Sequence, residues 1–533
     1  MSGAIRRLDA RALKAQLHDG GEIALLDARE EVSYGRRHLL MASCLPLSRL
    51  ELRLDDLVPR RGARVVWCDG GEGLAERAAA RTLAFGYSDV AILDGGIDAW
   101  AAAGFRLYSG VHVPSKAFAE VVEHEAGTPW IDADELHRLI DSGADIAVFD
   151  SRSYAEYHTN SIPTAVSVPG AELVYRFADL TPSPETMVIV NCGGRTRSII
   201  GAQSLINAGV PNKVVSLKDG TMAWHLAGHE VVRGATRQPP PVSEAGLEIA
   251  RAGAARVAAR HDIREIDGAT LAAWQAEAAS RSLYLLDVRT PEEFAAGHLP
   301  GARPAPGGQL VQETDNHIGT WGARVVLVDG DGVRATMTAS WLRQMGWAEV
   351  ATLRLDAAGG DLVGGPHRPD ILGLDAADPM EISAAALREK QAEGGVQIVD
   401  LALSRDFRRG HIPGAWFAIR ARLAADLARL PRFETLVLTS PDGVLARLAA
   451  AELAAGGLPA LALTGGTQAW IEAGNALEEG AERMASAAED IWLPARERDS
   501  GREEAMREYL AWEIDLVNQM ASDDDQRFAV VAT

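Results

Sequence analysis

The stretch "VIVNCGGRTRS", Val188–Ser198, carries one cysteine out of an apolar run and into two glycines, two arginines and two hydroxyls. Val188–Val190 reads as a short buried strand. "TRSIIGAQSLINAG" then reads as a helix, with Ile199, Ala202, Leu205 and Ile206 on its buried side and Gly209 and Pro211 at its stop. Strand, glycine loop and helix N-terminus in that order make half of a crossover unit of a parallel sheet. The loop itself admits three readings: a buried thiol beside a tight turn, a phosphatase-like anion loop, or a sulfur-carrying nucleophile. A thiol attacks as thiolate, and a free cysteine has a pKa of about 8.5. Gly193 and Gly194 let successive backbone N–H groups converge on one point. The helix dipole adds partial positive charge, and Arg195 and Arg197 add two full charges. These features predict an anion-binding cradle in which Cys192 is mostly thiolate at neutral pH.

The same pattern recurs along the chain. Four apolar runs end in aspartate: "IALLDAR" at Asp27, "IAVFDSR" at Asp150, "LYLLDVR" at Asp287 and "VQIVDLA" at Asp400. "EEFAAGHLPGA" and "RDFRRGHIPGA" follow the third and fourth, and "VSYGRRHLLMA" and "AEYHTNSIPTA" are worn versions after the first and second. A second apolar run lies about 40 residues past each aspartate, followed by a helix-like segment and another short strand. Three copies close with a glycine turn and a tryptophan, "LDGGIDAW", "LKDGTMAW" and "LTGGTQAW", whereas the third ends in "LRLDAAGGDL".

A chain of 533 residues exceeds a single ordinary core. The repeats divide it into 1–110, 111–235, 262–366 and 367–479, with a proline-rich and helical linker at 236–261 and a helical C-terminal tail at 480–533. In that tail Tyr509, Trp512 and Leu516 fall at helical spacing, widened by Ile514 and Val517. A helix docked on its own domain is expected, with a dimer contact as the sharper alternative. Hydrophobic residues at 47% and charged residues at 24% are the balance of a globular protein. A formal net charge of −21 argues against a nucleic-acid partner. No apolar stretch of signal-peptide or spanning length is seen, so a cytoplasmic location without a membrane partner is expected. Cys44, Cys68 and Cys192 are too few and scattered for a disulfide framework or a zinc site.

The D-x-R strand end, "GH[IL]PGA", the cysteine after the next strand and the closing "DG…AW" together resemble the rhodanese superfamily. The fourfold tandem resembles bacterial tandem-rhodanese thiosulfate sulfurtransferases. That resemblance implies an α/β fold, with four rhodanese-like domains each built on a mainly parallel sheet with helices on both faces. It implies a persulfide on Cys192 and no metal or organic cofactor. The donor would be thiosulfate or another sulfane-sulfur compound, and the acceptor cyanide, a small thiol or a thiol protein. Backbone N–H groups of Gly193, Gly194, Arg195, Thr196 and Arg197 would hold the terminal sulfur. Arg197, with Arg195, would attract the donor's anionic end. Thr196 and Ser198 would donate hydroxyl bonds or cap the helix. Asp150 and Arg152 would form a buried structural pair. Arg197 lies five positions after Cys192, one fewer than in the related C-x5-R phosphatase loop, which disfavours a phosphatase or arsenate reductase. A persulfide relay or binding scaffold, loaded by a partner protein, is the alternative class.

The other copies depart from this pattern. Two-domain rhodaneses have a substrate-contacting arginine six positions after the aspartate, where this chain has Glu156. Counting back 32 positions from Trp224 reaches Cys192, and the same count from Trp100 reaches Cys68. Cys68 therefore reads as the matching cysteine in an acidic loop, "CDGGEG", that is weak or inactive. Gly73 would then stand where Arg197 does. Val328–Asp329 and Thr439–Ser440 take the place in the third and fourth copies, which reads them as inactive. His158 could stand in for the missing loop histidine of the second copy, though a surface histidine is the plainer reading.

Overall fold

In a computed structural model, residues 5–181, 183–498 and 500–531 are described. The chain folds into four parallel five-stranded sheets, and each has the same order, with the first strand beside the fifth, then the fourth, second and third. In the second domain the strands are Trp130–Ile131, Ile146–Asp150, Val166–Ser167, Met187–Asn191 and Val214–Leu217. Central strands buried on both faces need continuous apolar runs, and alternate residues divide between two cores. Val188 and Val190 pack with the helices Glu172–Leu180 and Thr196–Ala208, whereas Ile189 packs with Leu136 and Trp224 on the opposite face. The expected α/β class, with four tandem domains and helices on both faces, holds.

The aspartate that ends each second strand fixes the local geometry. Asp27, Asp150 and Asp287 each take the arginine two residues on in a buried pair, at 2.6, 2.7 and 2.6 Å. Asp150 and Arg152 are both 0% exposed, and the guanidinium also reaches the Asn160 carbonyl at 2.5 Å. A buried charge with this many partners is a structural brace. Asp400 has Ala402 in place of the arginine, and burial pushes its carboxyl up to about 6.

The second domain packs on the third and the first on the fourth, and the first also meets the third through the Ile23–Trp321 backbone bridge. Gly170 and Gly308 let the second and third backbones touch, since a Cβ on Gly170 would stand 3.3 Å from the Gly308 Cα. Trp341 Nε1 donates to Ser204 Oγ at 2.9 Å across the same face. Glu51 binds Arg420 at 2.6 Å between the first and fourth domains. The linker helix Glu244–His261 lies against both Glu172–Leu180 and Arg334–Gln344.

The tail departs from the expectation of docking on its own domain. Its helix Arg502–Ala521 crosses back over the front half of the molecule and packs along the helix Val113–Ala126. Leu516 and Met520 join Leu40, Tyr108, Val113 and Ala117, and Met506 and Leu510 join Met222 of the second domain. Among the described residues, no helix is long and apolar enough to cross a membrane.

Candidate active site

Strand register identifies equivalent positions in the four loops. Asp150 stands opposite Asn191, Asp27 opposite Cys68, Asp287 opposite Val328 and Asp400 opposite Thr439. Cys68 is therefore the counterpart of Asn191 and ends its strand. The counterpart of Cys192 is the next residue, Asp69, followed by Asp329 and Ser440 in the other two domains. The closing turn agrees: the carbonyls of Cys192, Asp69 and Ser440 accept from the N–H groups of Thr221, Ile97 and Thr467 at 2.8, 2.9 and 2.9 Å. A one-residue offset sends a side chain to the opposite face of a strand. Cys68 accordingly lies in the apolar core with Leu25 and Trp100, and burial, then the charge of Asp27, pushes its thiol well up. The match of Cys68 to Cys192 by counting from tryptophan is corrected, and Leu74 rather than Gly73 corresponds to Arg197.

Each loop turns its backbone N–H groups inward, but the groups that meet them differ. In the first domain Asp69 accepts from Gly71 and Ala75 at 2.9 and 3.0 Å, and Glu72 accepts from Gly70 at 2.7 Å. In the third, Asp329 accepts from Gly332 and Ala335, and Asp331 from Val333 and Arg334, all between 2.8 and 3.0 Å. In the fourth, Ser440 accepts from Ala446 and Asp442 from Val444. The second-domain loop from Cys192 to Ser198 contains no acidic residue. Its helix, Thr196–Ala208, has Arg195 at the N-cap and no side-chain cap. Three cradles are closed by their own side chains, and the second keeps its donors for a ligand.

Around this cradle the charges are more neutralised than the bare sequence implies. Arg195 turns away from it; its guanidinium, 3% exposed, binds Glu120, Glu123 and Asp219 at 2.7, 2.7 and 2.9 Å. Its expected contact with a donor is corrected: three carboxylates hold it as a brace. Arg197 faces the loop but is gripped by Glu156 through two bonds of 2.7 and 2.9 Å, and it also donates to Gln309 of the third domain at 3.0 Å. Burial opposes ionisation of Glu156, and the charge of Arg197 overrides it, holding that carboxyl well below the usual range. Ser198 Oγ donates to the Arg195 carbonyl at 2.9 Å and lies 3.5 Å from Cys192 Sγ. Thr196 Oγ1 donates to Glu513 at 2.7 Å. Neither loop glycine adopts a positive φ. Room is tight at Gly194, where a Cβ would lie 3.3 Å from the Tyr509 ring and 3.4 Å from Glu513 Oε2, whereas one on Gly193 would meet nothing nearer than 3.6 Å. His158 is exposed and bonds the Ala235 carbonyl, which bears out the plain reading.

Cys192 is only 2% exposed. Burial pushes its thiol up, Arg197 and Ser198 pull it part of the way back, and Glu513 adds to the rise. The expected neutral-pH thiolate is thus corrected to a raised thiol, still less raised than Cys68. The cause is a roof that local sequence does not reveal. Trp492, Arg496, Tyr509 and Glu513 of the C-terminal segment close a chamber of about 690 Å³ over the loop. Its walls come from all four domains, among them Glu31, Cys192, Gln309 and Arg405. Glu513 is 0% exposed, and its Oε2 has no hydrogen-bond partner among the described residues. Of these roof residues only Tyr509 stood out by helical spacing. The arrangement can hold a small anion against a buried thiol.

The model of the rhodanese-like domain matches residues 9–103, 132–227, 269–356 and 383–473, and the chain belongs to that family. A thiosulfate sulfurtransferase from Pseudomonas aeruginosa, solved by crystallography, is 46% identical with a TM-score of 0.94, over 99% of this chain and 100% of that one. The protein thus has a rhodanese-like sulfurtransferase fold with a close thiosulfate sulfurtransferase neighbour. Single-domain likenesses occur too. An uncharacterised Bacillus subtilis protein, YqhL, is 39% identical over 85 residues, 16% of this chain and 66% of that one. The HTH-type transcriptional regulator Rv0324 of Mycobacterium tuberculosis is 33% identical over 101 residues, 19% of this chain and 43% of the regulator's length.

Proposed function

We propose that the protein is a thiosulfate-type sulfurtransferase with one working domain in four, acting in the cytoplasm. The observation that carries this reading is the thiol of Cys192 in the loop whose amides no loop carboxylate occupies. The Pseudomonas aeruginosa neighbour supports thiosulfate as the donor.

Cys192, as thiolate, attacks the outer sulfur of thiosulfate. A bond forms between Sγ and that sulfur, the donor's S–S bond breaks, and its electron pair leaves on sulfite. The Cys192 persulfide carries one negative charge, which the loop amides and the helix N-terminus stabilise. Cyanide or a thiolate then attacks the outer sulfur and restores the Cys192 thiolate. Two displacements through a covalent intermediate define the class. Arg197 keeps positive charge beside the sulfur, while Asp150 and Arg152 brace the strand end paired with the one that carries the loop. No step uses a metal or organic cofactor.

Steady-state turnover of thiosulfate with cyanide tests the reading, with thiocyanate as the expected product. A chain that leaves thiosulfate untouched, yet takes sulfur from a persulfide-bearing protein, would instead be a relay.

A further inference from the structure

An anionic donor needs a cation close to Cys192, and both loop arginines are already paired with carboxylates. Arg195 is held by three carboxylates on the far side of the loop. Arg197 is held by Glu156. The charge missing from the loop is present in the roof. Arg496 Nη1 lies 3.6 Å from the point a Cβ on Gly193 would occupy, directly above the residue after the nucleophile. Its carboxylate contacts are loose, 3.4 Å to Glu156 and 3.9 Å to Glu497. Charge-assisted bonds are normally about 2.7–2.9 Å, and the nearer Glu156 oxygen is already bonded to Arg197 at 2.9 Å. The short turn Ala495–Glu497 is pinned by Ala495, which is buried with Met222, Met506 and Leu510. Its guanidinium lines the chamber with Cys192 and is 29% exposed.

We propose that Arg496, from the C-terminal segment outside the four domains, binds the oxyanion end of the sulfane-sulfur donor. The inference rests on Cys192 as the sulfur-accepting nucleophile. Thiosulfate enters with its outer sulfur toward Cys192 and its three oxygens toward Arg496. The same guanidinium then holds the sulfite that departs with the electron pair of the broken S–S bond. The site takes small sulfur oxyanions, and the tail is part of the enzyme rather than an appendage.

The test compares the full-length wild type with Arg496→Ala and Arg496→Lys. Loss of one charge-assisted contact predicts a rise of at least about tenfold in KM for thiosulfate in the alanine variant, with a smaller change in kcat. Lysine, which keeps the charge but not the planar fork, should fall between. Sulfate, an oxyanion that does not react with iodoacetamide, should slow labelling of Cys192 in the wild type and lose that protection in Arg496→Ala. Iodoacetamide alone is uncharged and should reach Cys192 in both, each read at the plateau of its own pH profile because loss of a nearby cation disfavours the thiolate, and this also reports an intact fold. The lysine variant supplies the KM comparison if the alanine variant does not fold. A wild type that turns over thiosulfate, beside variants with unchanged KM and unchanged sulfate protection, overturns the role of Arg496 alone. A wild type that is labelled normally but never takes sulfur from thiosulfate overturns both readings.

Discussion

The second and third domains present nearly the same loop with opposite outcomes. Each has an Asp–Arg brace at the strand end, Asp150–Arg152 and Asp287–Arg289. In each, a glutamate six positions past that aspartate grips the loop arginine, Glu156 on Arg197 and Glu293 on Arg334. The two arginines even reach across the shared face to matching places, Arg197 to Gln309 and Arg334 to Glu172. Yet Arg334 is also bound by Asp331, and both Asp331 and Asp329 occupy the loop amides. Burial, with Asp331 beside it, pushes the Asp329 carboxyl up. The third loop is thus its own ligand. With a carboxylate in place of one thiol and of one glycine, at Asp329 and Asp331, the third loop becomes a structural knot while the backbone stays the same. The difference teaches that two loops of one backbone course are set apart by which amides their own side chains leave unsatisfied.

The largest effect should come from removing the sulfur. Cys192→Ser should lower thiosulfate turnover by about a thousandfold or more, as loss of a covalent nucleophile does. Adding Asp329→Cys to that variant should restore nothing, because Asp331 still fills the cradle and binds Arg334. Turnover by the double variant would break the comparison outright.

Next is the loop arginine. Arg197→Ala removes the charge nearest the sulfur and leaves Glu156 buried without its main partner. A loss of about ten- to a hundredfold in kcat/KM for thiosulfate is expected, about 1.5–3 kcal/mol for a charge-assisted contact. Unchanged kinetics would mean that the backbone cradle suffices and that Arg197 serves only the domain interface.

A smaller effect concerns pH. Burial raises the Cys192 thiol, so iodoacetamide labelling should set in above the pH of an ordinary cysteine, and before Cys68. Glu513 contributes to that rise as a nearby negative charge. Glu513→Gln removes it, favours the thiolate and should move the labelling profile of Cys192 to lower pH. A profile that stays in place would separate Glu513 from the sulfur electrostatically. The smallest effect belongs to Cys68→Ser, which should leave thiosulfate turnover within about twofold, because that thiol lies on the core face of its strand.

The fold was legible because its signals are local. Four apolar runs ending in aspartate, each followed by a second strand, a helix and a glycine turn, fix the topology with little help from distant contacts. The candidate nucleophile was equally legible in the loop around Cys192. The match of Cys68 failed on one residue, since counting from the closing tryptophan ignores a difference between the loops. The better ruler was present: from the strand-end aspartate, Asp27 to Asp69, Asp150 to Cys192 and Asp287 to Asp329 are each 42 positions. The direction of Arg195 depends on Glu120, 75 residues away, and the roof depends on residues some 300 positions downstream. Periodicity carries no information about such pairings, so the raised thiol and Arg496 had to come from packing.

The central claim is that Cys192 alone among the three thiols receives sulfur from the donor. Mass spectrometry of the intact chain after thiosulfate treatment, followed by mapping of the modified peptide, tests it directly. The account predicts a gain of one sulfur atom on the peptide containing Cys192, removed by cyanide, with Cys44 and Cys68 unmodified. An unmodified Cys192 in a folded, alkylatable chain, or added sulfur on Cys68 instead, would contradict it.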